Sequence, residues 1–398
     1  MELLARLANL PGALPGACAQ GLIWGIMAIG VYLTYRILDV ADLTVDGSFG
    51  TGGAVCVMCL LSGMNVWAAL FIALLAGLAT GLVTGLLHTF MGIPAILAGI
   101  LTQLALYSIN LKIMGKANQS INVDKYDLLI SLRWVKEFAL HNPIIMVIIV
   151  TAVLIGVLYW FFGTELGCGI RATGSNPAMS RAQGINTNLN VVLGLAVSNG
   201  LVALSGALLS QYQGFADVSM GRGAIVIGLA AVIIGEAVFG RIFHNFALKL
   251  VSVSLGAIIY YIVIQVVLWL GLNTNDLKML TALVVALSGA LLSQYQGFAD
   301  VGMGRGAIVI GLAAVIIGEA VFGRIFHNFA LKMVSVSLGA IIYYIVIQLV
   351  LTLGFDANLL KLLSASVVAV FLAVPYWKGK YFAKPAAKKA NKEGANNA

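Results

Sequence analysis

VWAALFIALLAGLATGLVTGLL, residues 66–87, carries no charged side chain over 22 positions. At about 1.5 Å per residue a helix of this length covers a ~30 Å hydrocarbon core. Gly77, Gly81 and Gly85 recur every fourth residue within it. That spacing puts small residues on one helix face and lets another backbone come close, as core packing requires.

The rest of the chain repeats this pattern. Further apolar runs cover about 18–37, 50–62, 92–112, 143–163, 188–211, 223–240, 247–271 and 278–294, then 306–323, 330–354 and 361–377. Hydrophobic residues make up 61% of the chain, charged residues 10%, and the mean hydropathy is +1.01. Soluble domains carry roughly 25% charged residues. The expected fold is all-α: a polytopic transmembrane helical bundle of about nine spans plus about three duplicated ones.

The duplication is visible as text. Residues 203–265 return at 286–348 with two differences, Ser219 against Gly302 and Leu250 against Met333. Repeats kept only for their fold diverge far more. The chain therefore divides into a transmembrane unit at 1–285, a near-duplicate of 203–285 at 286–368, and the end of the last span with a lysine-rich tail at 369–398. Beyond the near-identical core, 271–285 and 354–368 diverge, which fits recombination between two related genes or a joined sequence better than a fresh duplication. Three spans is an odd number, so a fully inserted copy would run inverted with the same loop charges. The 398-residue chain is expected to work poorly, whatever its function, until one copy is removed.

Cys18, Cys56, Cys59 and Cys168 form no disulfide framework, and Cys56-x-x-Cys59 lies in an apolar run as packing residues. No basic leader with a cleavage site precedes the first span, which is expected to act as its own insertion signal. The tail from Lys378 holds six lysines and one glutamate. It reads as a solvated segment beside anionic membrane lipid, not as a nucleic-acid arm. The segment 113–142 places Leu128, Leu132, Val135 and Ala139 at helical spacing among charges, and is expected to be an amphipathic interfacial helix or a docking surface.

No phosphate-binding loop, metal-spaced Cys/His set or nucleophile elbow is present, and His88, His141, His244 and His327 are isolated. The chain is not expected to be an enzyme or to hold a cofactor or metal; if ATP is used, a partner must hydrolyse it. Two polar stretches remain. In 39–50, Asp39, Asp42 and Asp46 lie between apolar runs with Thr44 and Ser48, either as a solvated loop or as backbone lining a cavity. In 163–190, Asn176 and Pro177 read as the capped start of a helix ending near Gly184. At two turns that helix is too short to stand alone. Glu236 and its twin Glu319 each lie four residues before the glycine ending a span, and are expected to be structural.

IRATGSNPAMSRAQGIN (170–186), followed by LVALSGALL (201–209), resembles the permease subunits of ABC importers of the branched-chain amino acid and ribose type. In that family a loop of the form A-x-G-x-N-x-x-A-x-x-x-G-I-N couples the permease to its ATPase. The resemblance implies coupling roles for Arg171, Gly174, Asn176, Arg181, Gly184 and Asn186. LDVADLTVDGSFGTGGA (38–54) is similar to a family segment at the translocation pathway, which implies that role for Asp42, Thr44, Asp46 and Ser48. GIPAILAGILTQLALYSINLKIMGKAN (92–118) points to a subgroup working with binding proteins for amino acids, tryptophan among them.

The implied function is import of a small polar solute, an amino acid first among candidates, across a bacterial cytoplasmic (inner) membrane. The implied partners are an ABC ATPase subunit that binds ATP, an extracytoplasmic binding protein and a second permease copy as a homodimer. An ion-coupled secondary transporter and a non-functional chimera are the alternatives. If 164–187 meets a cytoplasmic ATPase, counting back five spans puts the N-terminus outside and 38–49 inside.

Overall fold

The computed structural model describes residues 2–269, apart from 124, 127, 137–141 and 241. The expected spans from 278 onward, the repeat 286–368, Glu319 and the lysine tail lie outside the described residues. Ten α-helices, one π-helical turn, one 3-10 turn and two short strands are found among the described residues.

Helix α1 (Glu2–Tyr32) ends in a π-helical turn, Leu33–Ile37. Then come α2 (Val45–Leu61), α3 (Val66–Thr89), α4 (Ala95–Met114), β1 (Asn118–Ser120) and a 3-10 turn (Leu132–Lys136). They are followed by α5 (Pro143–Gly163), α6 (Glu165–Ser175), α7 (Pro177–Ala182), α8 (Thr187–Gln213), β2 (Phe215–Asp217), α9 (Ala224–Phe239) and α10 (Phe246–Trp269). Among the described residues six helical segments are long and apolar enough to cross a membrane: 14–37, α3, α4, α5, α8 and 246–266. Helices α2 and α9 are apolar but shorter.

Lipid tails are as apolar as leucine, so burial of oily side chains does little to join helices in a bilayer; close packing and hydrogen bonds do it instead. Helix α8 is the hub, with α1, α2 and α3 packed around it. Gly77 faces the Asn199 carbonyl and Gly200 of α8, Gly81 faces Leu195 and Ala196, and Gly85 faces Val192. A Cβ added at Gly85 would fall 2.8 Å from the Val192 Cα, so only glycine fits. The expected small-residue face is thus an antiparallel α3–α8 seam. Serines tie α8 to α1: Ser198 Oγ donates to the Gly30 carbonyl and Ser205 Oγ to the Ile23 carbonyl, each at 2.7 Å.

The chain alternates direction. The Ile37 carbonyl packs on Gly174 of α6, Gly85 of α3 on the first turns of α8, and Gly99 of α4 on Leu43. The ring of Phe162 in α5 lies 5.1 Å from that of Phe246 in α10. The ends of α1, α3 and α5 and the starts of α4, α8 and α10 therefore meet at the end of the bundle that carries α6 and α7.

Three expectations need correction. Asp46 and Ser48 do not lie in a loop ending at 49: α2 begins at Val45, because Asp42 Oδ1 accepts the Thr44 N–H at 2.9 Å and the Thr44 carbonyl accepts from Gly47 and Ser48. The segment 113–142 is not one amphipathic helix. Leu128, Leu129 and Ile130 are all buried in succession, which no single helix face allows, while Leu132 turns outward. That stretch is pressed onto the far end of the bundle, where the Leu129 N–H donates to Gln211 Oε1 at 3.0 Å and β1 pairs antiparallel with β2. The polar stretch 163–190 holds two helices, α6 as well as the expected α7.

Candidate functional site

The residues 42–48 lie deep in the protein. Asp42, Thr44, Asp46 and Ser48 are all buried. Asp39, in a left-handed backbone (φ 54°), turns the chain after Ile37, and 40–44 re-enter the bundle. Asp42 Oδ2 accepts from Asn199 Nδ2 at 2.7 Å, and Asn199 Oδ1 accepts from Ser48 Oγ at 2.6 Å. Ser48 Oγ also meets Thr80 Oγ1 at 2.8 Å. One turn away, Thr44 Oγ1 meets Thr84 Oγ1 at 2.8 Å, and Thr84 donates to Thr102 Oγ1 at 3.0 Å. One polar network therefore joins α2, α3, α4 and α8. Burial pushes the Asp42 carboxyl up from the usual carboxylate range, while the bonds from Thr44 and Asn199 pull it down.

Asp46 works differently. Its Oδ2 accepts the Gly223 N–H and its Oδ1 the Ile225 N–H, both at 3.0 Å. These are the first turn of α9, whose own cap residue, Gly223, has no side chain to offer. A carboxylate from α2 thus caps a helix that starts inside the bundle, where Gly221 packs on the Asp46 carbonyl and Gly228 on Val31 of α1. Irregular backbone at such depth is tolerated only when buried in protein or lining water, and Asp46 supplies the acceptor it needs. At its other end α9 is tied to α1 by Glu236 Oε1 and Arg36 Nε, 3.2 Å apart.

The second stretch lies on the bundle's end. Helix α6 starts on Thr164, whose Oγ1 accepts the Gly167 N–H. Asn176 then ends α6 and caps α7, its Oδ1 accepting from Ala178 at 3.1 Å and Met179 at 3.0 Å. Proline follows at the first helical position, as expected. Gly184 leaves α7 with φ 81°, open space around it, and Asn186 Oδ1 caps α8 by accepting the Leu189 N–H. Pro177, Ala178, Met179, Arg181 and Ala182 are exposed, Met179 at 62%. The structure separates the expected coupling residues by role. Gly174 is a packing point against the Ile37 carbonyl, and Arg171 caps α5 by donating to the Phe162 carbonyl at 2.7 Å. Asn176 and Asn186 set helix starts, and Arg181 returns to the Pro177 carbonyl at 3.2 Å.

Sequence reading did not find Asn199, Thr80, Thr84 and Thr102, the partners of 42–48, nor Arg36. The available signal was polar residues in apolar runs: Thr80 and Thr84 four apart beside the glycine face of α3, and Asn199 in the apolar middle of α8.

A bundle of apolar helices stitched by glycines and buried hydroxyls, with two short capped helices across one end, is the architecture of a multi-pass membrane protein. The chain belongs to the family of branched-chain amino acid transport system permease components, which matches residues 15–285. These are permease components of ABC importers, transporters and not enzymes, and the chain is a multi-pass membrane protein of that kind. It is 39% identical over 270 residues to a tyrosine transport system permease protein of Clostridioides difficile, covering 67% of this chain and 86% of that one. It is 34% identical over 274 residues to an uncharacterized protein of Rickettsia prowazekii, 68% and 95% of the two chains. It is also 29% identical over 280 residues to a fructose import permease protein of Bifidobacterium longum, 70% and 76% of the two. No solved structure matches.

Proposed function

We propose that this chain is the permease subunit of an ABC importer that brings an amino acid into a bacterial cytoplasm. In this reading α7 sits in a cleft of an ATPase subunit that binds the ATP. An extracytoplasmic binding protein delivers the solute at the opposite end, and two copies of the chain form the pathway. The observation that carries the reading is α7 itself. It is a six-residue helix, far below the ~12 residues at which isolated helices become even marginal in water. Yet it is capped at its start, ended by a glycine and laid on α6 with its outer residues free. Such a helix has no core of its own to serve.

The amino-acid class is supported by the tyrosine transport relative, which is more similar to this chain than the fructose import permease is. Asp42, Thr44 and Ser48 act in this proposal by holding the helices that bound the pathway, and Asp46 by fixing where α9 begins. Asp42 and Asp46 are thereby engaged in internal hydrogen bonds.

The test uses the chain reconstituted with its ATPase and binding protein, in forms with and without 286–368. Gly184→Val strains a left-handed backbone by roughly 1–2 kcal/mol and shifts α7, and Met179→Glu puts a charge on its outer face. Both variants should assemble in the membrane and unfold near the wild-type temperature, but lose labelled tyrosine uptake and the stimulation of ATP hydrolysis. Unchanged uptake and stimulation in both would remove α7 from the ATPase contact.

A further inference from the structure

We propose that the groove between the end of α5 and the start of α10 binds the phosphate of an anionic phospholipid, in the leaflet nearest α7. The groove has a volume of about 440 Å³ and is lined by Tyr159, Trp160, Phe162, Thr164, Arg171 and Phe246. That lies within the ~300–1,000 Å³ typical of small-molecule sites.

Arg171 is the charged group in it. One nitrogen, Nη2, donates to the Phe162 carbonyl at 2.7 Å and lies 3.4 Å from Cys168 Sγ. The guanidinium lies over the Phe246 ring, 5.8 Å from its centre. Among the described residues no carboxylate pairs with it; Glu165, the nearest acidic residue in sequence, forms no ion pair. The Nε and Nη1 N–H groups have no partner among the described residues, and each can donate singly to a phosphate oxygen while the guanidinium supplies the charge.

The surroundings select a lipid over a soluble phosphate. Tyr159 is 59% exposed and Trp160 71% exposed. Both sit on the last turn and a half of α5, whose apolar residues Ile148, Val153 and Val157 are exposed along the same helix. Tyrosine and tryptophan collect at the headgroup level of a bilayer. A phosphate on Arg171 would leave its acyl chains running along this face. The carbonyls at the end of α5 disfavour an anion, so the site depends on Arg171 to overcome them. The choice of leaflet rests on the proposed ATPase contact of α7; the site itself does not.

The experiment is native mass spectrometry of the full chain in detergent, titrated with phosphatidylglycerol, phosphatidylcholine or soluble glycerol 3-phosphate. Phosphatidylglycerol should be retained over phosphatidylcholine, and glycerol 3-phosphate should not bind. Arg171→Gln should weaken phosphatidylglycerol retention about tenfold, and Arg171→Lys less, since an ammonium keeps the charge but has a different reach and donor geometry. Arg171 also caps α5, so Trp160→Ser serves as the second variant. It touches an exposed ring, leaves the cap in place and should lower retention while the unfolding temperature stays unchanged. Equal retention of the two lipids, full retention by both Arg171→Gln and Trp160→Ser, or equally tight glycerol 3-phosphate binding would each overturn the proposal. Labelling of Met179→Cys in sealed vesicles reports the leaflet separately: labelling only from outside would refute the orientation, and with it the leaflet, without touching the retention result.

Discussion

The α3–α8 seam and the α6–α7 layer are both rich in small and polar residues, but they use them in opposite ways. Along the seam, glycines remove side chains so that backbones touch, and every hydroxyl of Thr80, Thr84 and Ser48 finds a partner on another helix or one turn back. In the layer, polar side chains close on their own backbone: Asn176 on α7, Asn186 on α8, Arg181 on Pro177. The seam is finished within one chain. The layer satisfies itself locally and leaves its apolar tips, Leu166 and Met179, facing out. Similar composition thus marks an internal contact in one place and an offered surface in the other.

The sharpest way to break that contrast is to fill the seam. Gly81→Leu would push a side chain into the Leu195 carbonyl and Ala196. Overpacking a close contact costs about 1–3 kcal/mol, and a backbone on the far side gives least. Folded protein recovered in detergent should fall to near nothing. Ala178→Leu on exposed α7 should leave the unfolding temperature within a degree or two. Normal folding of Gly81→Leu would show that the helices can slide apart at little cost.

The next largest effect is expected at Asp46, which behaves like a seam residue although it sits in a helix's first turn. Asp46→Ala leaves the N–H groups of Gly223 and Ile225 in the bundle without the acceptors they now have. Loss of a cap costs about 1 kcal/mol, and a buried unsatisfied donor about 1–3 kcal/mol. Thermal unfolding should show a loss of about 2–3 kcal/mol, and hydrogen exchange should rise first in the opening turn of α9. Asp46→Asn keeps one acceptor oxygen and should lose roughly half as much. Uniform exchange across α9 would mean that another group caps it.

The sequence made one side of this comparison plain and hid the other. The glycine spacing at 77, 81 and 85 and the capped turn at Asn176–Pro177 are local signals, set by helix geometry and cap chemistry, and both are where the sequence put them. The boundaries of the 143–163 span also agree to the residue. The roles of Asp42 and Asp46 were not legible, because their partners, Asn199 and the N–H groups of 223 and 225, are more than 150 positions away. A carboxylate between apolar runs reads the same whether it faces water, a cavity or another helix end. The 113–142 segment misled for a related reason. Leu128 and Leu132 have helical spacing, but Leu129 and Ile130 between them are buried as well, and only the bundle end below decides which of them turns inward. Helix α6 was missed because glycines at 167, 169 and 174 argue against a helix by propensity. Two of them are there because α6 packs tightly, Gly167 on Phe162 and Gly174 on Ile37.

The smallest effect is expected where α9 meets the end of α1. Glu236 and Arg36 are 3.2 Å apart, but the glutamate side chain is 33% exposed and the arginine 61%. An exposed pair of this kind contributes about 0–1 kcal/mol, because water already solvates both charges and holding two long side chains costs entropy. Solvent screening puts this pair in the lower half of that range. Glu236→Gln keeps the shape and one acceptor oxygen. It should shift the unfolding free energy by less than about 0.5 kcal/mol, leave accumulation normal and leave most uptake intact. The residual shift should shrink further in high salt, as expected for an exposed pair. Normal accumulation with complete loss of uptake would change the assignment. The Arg36–Glu236 contact would then be a gate, because Arg36 precedes Ile37, on which α6 rests, and Glu236 ends the helix that Asp46 starts.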